Sequence, residues 1–227
     1  MKKHFLFTSA ILLSFVLLLS GCLTSKKLDG YVAGQFNNEL PKPDKKKNPD
    51  ISVASSMKFE SGDISISSRK TTNFLPLLIY WQYDHRHTCK LNPAIGENYF
   101  RKTVMLQANK GLNQKLNGRQ LELTVNQVPG AFSFTDKGRI IFLLIYAIQW
   151  HKIYVEADTK DLVVSYKLLD KGAAVKTGNI TVKSIIKDQK IRFFQSWKSA
   201  ASEYLGQYSV DVAEMTKNLV NKLVLEL

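Results

Sequence analysis

The sequence predicts an α+β fold, with a mostly antiparallel sheet and two amphipathic helices on one face. Several short stretches alternate apolar and polar residues, which is typical of half-buried strands. Turn-forming residues such as Asp170-Lys171-Gly172 separate consecutive strands by only a few positions, which favours antiparallel hairpins. Near the C-terminus, apolar residues recur at three- and four-residue steps, which predicts one long amphipathic helix. We expect the two helices to pack together on the sheet.

The first 21 residues have the pattern of an export signal. Lys2 and Lys3 precede an apolar stretch from Phe5 to Leu19, which is shorter than the roughly 20 residues of a membrane-spanning helix. The stretch ends in Leu19-Ser20-Gly21-Cys22, "LSGC", which resembles the lipobox of bacterial lipoproteins. The resemblance implies cleavage before Cys22 and attachment of acyl chains such as palmitate to its thiol. The alternative is an ordinary signal peptide that happens to precede a cysteine.

The lipoprotein resemblance also implies a location. In lipoproteins of bacteria with two membranes, an aspartate directly after the cysteine favours the inner membrane, whereas Leu23-Thr24 follows Cys22 here. The resemblance therefore implies an outer-membrane anchor. The absence of an acidic cluster after Cys22 favours a protein that faces the periplasm.

Residues 22–50 are predicted to form a basic tether between the anchor and the folded domain. Leu28, Tyr31, Val32 and Phe36 suggest one short amphipathic helix, and "PKPDKKKNP" from Pro41 to Pro49 then predicts an extended spacer. The whole chain has 32 Lys and Arg against 19 Asp and Glu, a net charge of +13. This surplus favours anionic lipid headgroups as a partner. Nucleic acid is the other habitual partner of basic proteins, but an exported chain rarely meets it.

Residues 51–227 are predicted to form a single α+β domain. We expect a hairpin whose strands flank Ser61-Gly62-Asp63 and a buried strand in the apolar run from Phe74 to Tyr83, where Pro76 marks an edge or a bulge. A helix should begin at Asn92-Pro93, a capping residue followed by proline, and end at Asn117-Gly118. Its apolar positions are Phe100, Val104, Ala108, Leu112 and Leu116.

The second half of the domain is predicted to be rich in strands before its terminal helix. The alternation of Leu121, Leu123 and Val125 indicates a strand, and the apolar run from Ile140 to Ile148 predicts a buried one. A further hairpin is expected on either side of Asp170-Lys171-Gly172. The long helix carries an apolar stripe of Trp197, Ala201, Tyr204, Tyr208, Val212, Met215, Leu219 and Leu223.

The segment "DHRHTC" contains the candidate metal ligands. His85, His87 and Cys89 would point the same way on an extended chain, and imidazole and thiolate suit zinc or copper. A tetrahedral site needs a fourth ligand that the spacing does not supply, so we predict no metal and interpret the segment as the polar end of a strand. Cys89 has no disulfide partner if Cys22 is lipidated, and its closeness to His87 along a strand does not create a nucleophile and its base.

The sequence predicts a non-enzymatic protein. It has no nucleophile elbow, phosphate-binding glycine loop, zinc-protease motif or calcium loop, and no cofactor is expected. The order of helix, sheet and long terminal helix is similar to that of small periplasmic auxiliary lipoproteins that assist lipid or lipopolysaccharide transport. This resemblance implies an auxiliary or docking role in envelope transport or assembly, with another envelope protein as partner. The alternatives are a lipid-binding lipoprotein, because the apolar runs could line a pocket, and a hydrolase.

Overall fold

A computed structural model describes residues 23–36, 48–59, 64–75, 78–143 and 145–227. Its helices are α1 (Ser25–Gln35), α2 (Pro93–Gln107), α3 (Asn113–Leu116) and α4 (Trp197–Glu226), and a π-helical segment (Ala108–Leu112) connects α2 to α3. The strands are β1 (Ile51–Ser55), β2 (Ile64–Leu75), β3 (Leu78–Lys90), β4 (Gln120–Gln127), β5 (Ala131–Leu143), β6 (Tyr146–Ala157), β7 (Leu162–Asp170), β8 (Ala173–Val182) and β9 (Gln189–Lys190).

The strands form two sheets, which confirms the α+β class but divides the expected sheet in two. The body sheet has the order β1-β4-β7-β8, and the arm sheet has the order β2-β3-β5-β6-β9. Pairing is antiparallel except between β1 and β4. The predominance of antiparallel pairing and the long C-terminal helix agree with the sequence-based prediction.

The hydrophobic core lies between the body sheet and the helices α2 and α4. Strand β4 buries Leu121, Leu123 and Val125 and leaves the residues between them exposed or half-buried, as its alternation predicts. Phe100 of α2 and Val212 of α4 are fully buried in the same cluster. One face of this sheet is therefore covered by both helices.

Local signals in the sequence correctly predict the start of α2 and the end of α3. The Asn92 side chain accepts a hydrogen bond from the Ala94 N–H at 3.0 Å and caps α2, with Pro93 in the first turn. Asn117 adopts a left-handed conformation (φ 48°) directly after α3. The Ser196 side chain caps α4. In the part of the chain that the structure describes, no helix combines the length and apolarity needed to cross a bilayer.

The expected short helix in the tether is present as α1 and is packed on the domain. Leu28 and Val32 are buried, and the ring of Tyr31 contacts that of Trp197 at a centroid distance of 5.5 Å. The backbone N–H of Ser25 donates to Ser65 Oγ at 2.9 Å, which places the start of α1 against β2. Part of the tether is thus folded, whereas residues 1–22, including Cys22, and residues 37–47 lie outside the described ranges.

The hairpin predicted across Ser61-Gly62-Asp63 is wrong. Strand β1 pairs in parallel with β4 in the body sheet, and β2 pairs with β3 in the arm sheet. Alternating side chains indicate that a strand has one buried face, but they do not identify its neighbour. The turn residues here connect two sheets and lie outside the described residues.

The two buried strands predicted from the apolar runs are also wrong. The run from Phe74 to Tyr83 crosses from β2 into β3, and the run from Ile140 to Ile148 crosses from β5 into β6. Ile79 is 46% exposed and Ile148 is 52% exposed, so these strand ends lie outside the core. Pro76, expected at an edge or bulge, lies outside the described residues.

Gly96 allows α2 to approach α4 closely, and replacing it should destabilise the fold. A Cβ at this position would lie 2.8 Å from the Tyr208 hydroxyl and 2.8 Å from Val128 Cγ1. Gly96→Ala should lower the free energy of unfolding by about 1–3 kcal/mol, the usual cost of overpacking. Urea unfolding followed by circular dichroism measures it.

Gly206→Ala is the matched control for Gly96→Ala. This glycine is exposed on α4, and its added Cβ would meet nothing within 4 Å. Alanine should therefore raise stability by roughly 0.5–1 kcal/mol, because glycine lowers helix stability. Equal effects of the two substitutions would contradict the close packing at Gly96.

Candidate functional site on the β arm

The arm sheet extends beyond the core as two hairpins of equal reach. Strand β3 pairs with β5 continuously from Lys90↔Ala131 to Leu78↔Leu143, so both hairpin turns lie at the same end. Arg69, Tyr83, Gly138 and His151 lie side by side across the four strands. We call the part from this row to the two turns the arm.

Large apolar side chains are exposed on both faces of the arm. On one face, Leu143, Tyr146, Ile148 and Trp150 are between 50% and 69% exposed. The other face carries, among others, Ile79 and Phe142, which are 46% and 40% exposed. Ile145 between β5 and β6 is 87% exposed. A contiguous apolar patch of this kind usually marks a binding or membrane-contacting surface.

A groove with a positive base runs along one face of the arm sheet, from the arm toward the body. Its volume is about 880 Å³, and it is open to solvent along its length. Its lining includes Tyr80 and Ile141 toward the tip, Arg139 and Trp150 at one level, and Asp84, Lys137, Lys152 and Lys190 toward the body. Cations thus lie next to apolar side chains on one surface, as an anionic amphiphile would require.

Lys137 is the cation of the groove that is paired with a carboxylate. A hydrogen bond with the Tyr154 hydroxyl and the nearby Asp84 carboxylate raise the pKa of Lys137 above its usual value, although partial burial opposes the shift. The Lys137 ammonium lies 3.3 Å from Asp84 Oδ2. Among the lining cations named above, Lys137 is the one paired with a carboxylate of the groove. Arg139, Lys152 and Lys190 therefore give the groove a positive surplus.

The opposite face carries a polar cluster at the same level. His151 Nε2 lies 2.7 Å from Asp136 Oδ1, and the ring of Tyr83 lies beside those of His85 and His151. Burial and the Asp136 carboxylate raise the pKa of Tyr83. Gly138 must be a glycine here, because a Cβ would lie 2.2 Å from Tyr83 Cζ.

The structure places His85, His87 and Cys89 on one face of β3, as the sequence predicts. Their environments differ: the ring nitrogens of His85 and His87 contact Ser67 and Ser65, whereas Cys89 is only 1% exposed. Within the described ranges, no three His, Cys, Asp or Glu residues are arranged to hold a metal ion. The segment forms the half of β3 nearest the body, and Cys89 is part of the hydrophobic core.

The two apolar runs of the sequence form the exposed part of the arm. Their composition predicts core strands or the wall of a pocket, whereas the structure exposes residues such as Ile79 and Ile148. The signal that distinguishes them is the register, which aligns both runs at one end of a single sheet. Neither run reveals this by itself.

Cys89 should be unreactive in the folded protein. Burial, with a smaller effect from Asp29, raises the pKa of its thiol well above the ordinary value, so the reactive thiolate is scarce at pH 8. Iodoacetamide should label Cys89 at least tenfold more slowly in buffer than in guanidinium chloride. Peptide mass spectrometry measures the label at this residue, and equal rates in the two solutions would contradict the buried placement.

Comparisons of this chain with protein-family models, with curated proteins and with solved structures give no match. The function must therefore be inferred from the geometry of the arm and from the N-terminal sequence.

Proposed function

We propose that this chain is a non-enzymatic, lipid-anchored protein of the cell envelope whose arm docks on the bilayer that holds its anchor. The observation that supports this most is the exposure of apolar side chains on both faces of the arm next to a cluster of cations. We further propose a periplasm-facing position at the outer membrane and an auxiliary or docking role in envelope transport or assembly.

The apolar part of the arm has the length of one lipid leaflet. Lys70 and Trp150 lie at the level where it begins, and Leu75 lies at its end. Strand β3 covers this stretch in four residue steps, from Gln82 to Leu78, because β2 has an irregularity between Asn73 and Leu75. Four steps at about 3.3 Å each give roughly 13 Å. The hydrocarbon core of a bilayer is about 30 Å thick. An inserted arm would therefore reach about the midplane.

The charges of the arm match the headgroup layer of such an arrangement. Lys70 and Arg139 are exposed at the level where the apolar part begins, and Lys152 is exposed two residue steps closer to the body. Each well-placed cation contributes about 1 kcal/mol of attraction to anionic lipid. Trp150 lies at this boundary, and amphipathic rings of this kind are enriched near membrane interfaces.

The anchor and the arm can enter the same leaflet. Ser25 is fixed against Ser65, which precedes Lys70 by five residues, or about 16 Å along the strand. Cys22 precedes Ser25 by three residues, and an extended segment of that length spans about 10 Å. The headgroup layer is roughly 6 Å thick, and together with the segment it gives roughly the 16 Å between Ser65 and Lys70. If this segment extends toward the tip, acyl chains on Cys22 can start at the level where the arm becomes apolar.

A second candidate function is the binding of an individual lipid in the groove. Its volume of about 880 Å³ is in the range of ligand pockets, and the basic residues at one end suit an anionic headgroup. Docking on a bilayer uses the same chemistry. Catalysis by Cys89 is disfavoured because burial raises the pKa of its thiol.

The lipid anchor should be visible in the natural product. The peptide from Cys22 to Lys26, taken from protein produced in a bacterial envelope, should carry the mass of a diacylglyceryl group and an amide-linked acyl chain. Intact-protein and peptide mass spectrometry measure this modification. The peptide that contains Cys89 serves as the unmodified control. A chain that keeps Leu19-Ser20-Gly21 attached would contradict the anchor.

Docking should place Trp150 in lipid and leave Trp197 outside it. The full chain is reconstituted in vesicles of phosphatidylglycerol and phosphatidylcholine whose acyl chains are brominated, because bromine quenches nearby tryptophan fluorescence. Trp150→Phe should remove about a third to a half of the quenching, the remainder arising from Trp81 on the same arm. Trp197→Phe should remove almost none, since Trp197 packs against Tyr31 away from the arm.

A matched pair of surface variants tests whether the tip holds the arm in lipid. Ile145→Ser removes an apolar side chain at the tip, and Phe194→Ser removes one that is 95% exposed in the loop before α4. Only the first should weaken the quenching of Trp150. Equal quenching by Trp150 and Trp197 would contradict docking. If lipid then copurifies with the protein in detergent, binding of individual lipids is favoured instead.

A further inference from the structure

The arm has two long strand edges without a partner in the part of the chain that the structure describes. Strand β2 is the first of its sheet and pairs only with β3. Strand β6 pairs on its outer side with β9, but only at Tyr154 and Val155. The Ile153 carbonyl accepts a hydrogen bond from the Ile191 N–H at 3.3 Å, so within the described residues the open part of β6 runs from Tyr146 to Lys152. The open part of β2 runs from Ser67 toward the tip, because Ser65 contacts Ser25.

We propose that neighbouring copies of this chain join through these edges, with β6 of one copy pairing with β2 of the next. The inference goes beyond the proposed function, because it concerns the edges of the arm and not its faces. The pairing of β6 with β2 would form between copies side by side in detergent as well as in a bilayer.

The directions of the strands favour this pairing. Strand β2 runs from the body to the tip, and β6 runs from the tip to the body. When two arms stand side by side with their tips together, β6 of one and β2 of the other are antiparallel. The pattern within the arm sheet then continues from copy to copy without interruption. Pairing of two β2 edges in an antiparallel manner would instead point the tips, and the two anchors, in opposite directions.

The charges along the two edges are compatible with this arrangement. When residues at equal heights face each other, Ser68 is opposite Lys152, Arg69 is opposite His151 and Lys70 is opposite Trp150. With residues 67–73 of one copy opposite residues 147–153 of the next, no Lys or Arg faces another Lys or Arg, and no Asp or Glu faces another Asp or Glu. Arg69 also approaches the Asp136 carboxylate that holds His151, and Lys70 approaches the ring of Trp150.

The docked state gives the edges a reason to pair. Backbone N–H and C=O groups in hydrocarbon need a hydrogen-bond partner, because lipid tails offer none. A single arm in the leaflet would leave both of its edges without one. A neighbouring arm at each edge supplies these partners, and the apolar faces remain available to lipid.

Cross-linking between single cysteines tests the pairing. In a Cys89→Ala background, Ser68→Cys on β2 is mixed with Lys152→Cys on β6, and the full chains are treated with a short thiol cross-linker in vesicles and in detergent. Trp150→Cys and Tyr154→Cys replace Lys152→Cys to cover a register shifted by two residues in either direction. Phe194→Cys, exposed in the loop before α4, is the control position.

The expected result is at least a tenfold excess of β2–β6 products over β2–β2 and β6–β6 products. A chain with both Ser68→Cys and Lys152→Cys should give a ladder of higher multimers. Absence of β2–β6 products in all three registers, in vesicles and in detergent, would overturn the proposal. Tryptophan quenching in the same vesicles separates this outcome from a failure of docking, because a monomeric arm that is quenched refutes only the pairing.

Discussion

The pairing of β3 with β5 is the constraint on which the other features of this molecule depend. The ladder continues over thirteen residue pairs, from Lys90↔Ala131 at the body to Leu78↔Leu143 at the tip. Its first pairs are part of the core, where Cys89 and Phe132 are buried. Its last pairs carry exposed side chains such as Phe142. Because one ladder joins both regions, the core fixes the direction of the arm, and both hairpins end at the same height.

Polarity changes in order along this ladder. Near the body, Arg86 forms an ion pair with Glu156 at 2.9 Å, and Thr135 donates to the same carboxylate. Next come the groove cations, and then the apolar tip. From the body to the tip, the side chains are suited first to water, then to anionic groups and then to an apolar environment. Water, headgroups and hydrocarbon follow each other in the same order across a membrane surface. An arm that functioned only in water would expose apolar area at about 25 cal/mol per Å² without compensation. The sequence of zones therefore has a simple explanation if the arm meets lipid.

Elements governed by local chemistry could be predicted from the sequence, and the arm could not. The caps at Asn92 and Asn117, the β7–β8 turn and the stripe of α4 each depend on residues close together along the chain, and the structure contains all of them. The arm depends on the distant alignment of β3 and β5. A short apolar run has the same periodicity whether its surroundings are protein or lipid. The sequence pattern therefore predicts that both runs are buried in the core. The exposure of Ile148 and Ile79 follows from the pairing of β3 with β5, which only the structure shows.

The open edges of the arm complete this physical picture. Exposed edges invite pairing with other chains, and proteins commonly blunt them with charges, bulges or short strands. Here β2 carries Arg69 and Lys70 and has an irregularity between Asn73 and Leu75, but the stretch from Ser65 to Ser68 has no charge. An anchor would restrict each copy to a plane with one orientation, which raises the effective concentration of one arm for the next. Encounters between arms would then occur with tips aligned, the geometry in which β6 and β2 are antiparallel. On a membrane, an anchor would remove the competing orientations, so an edge that is a liability in free solution would become a specific contact.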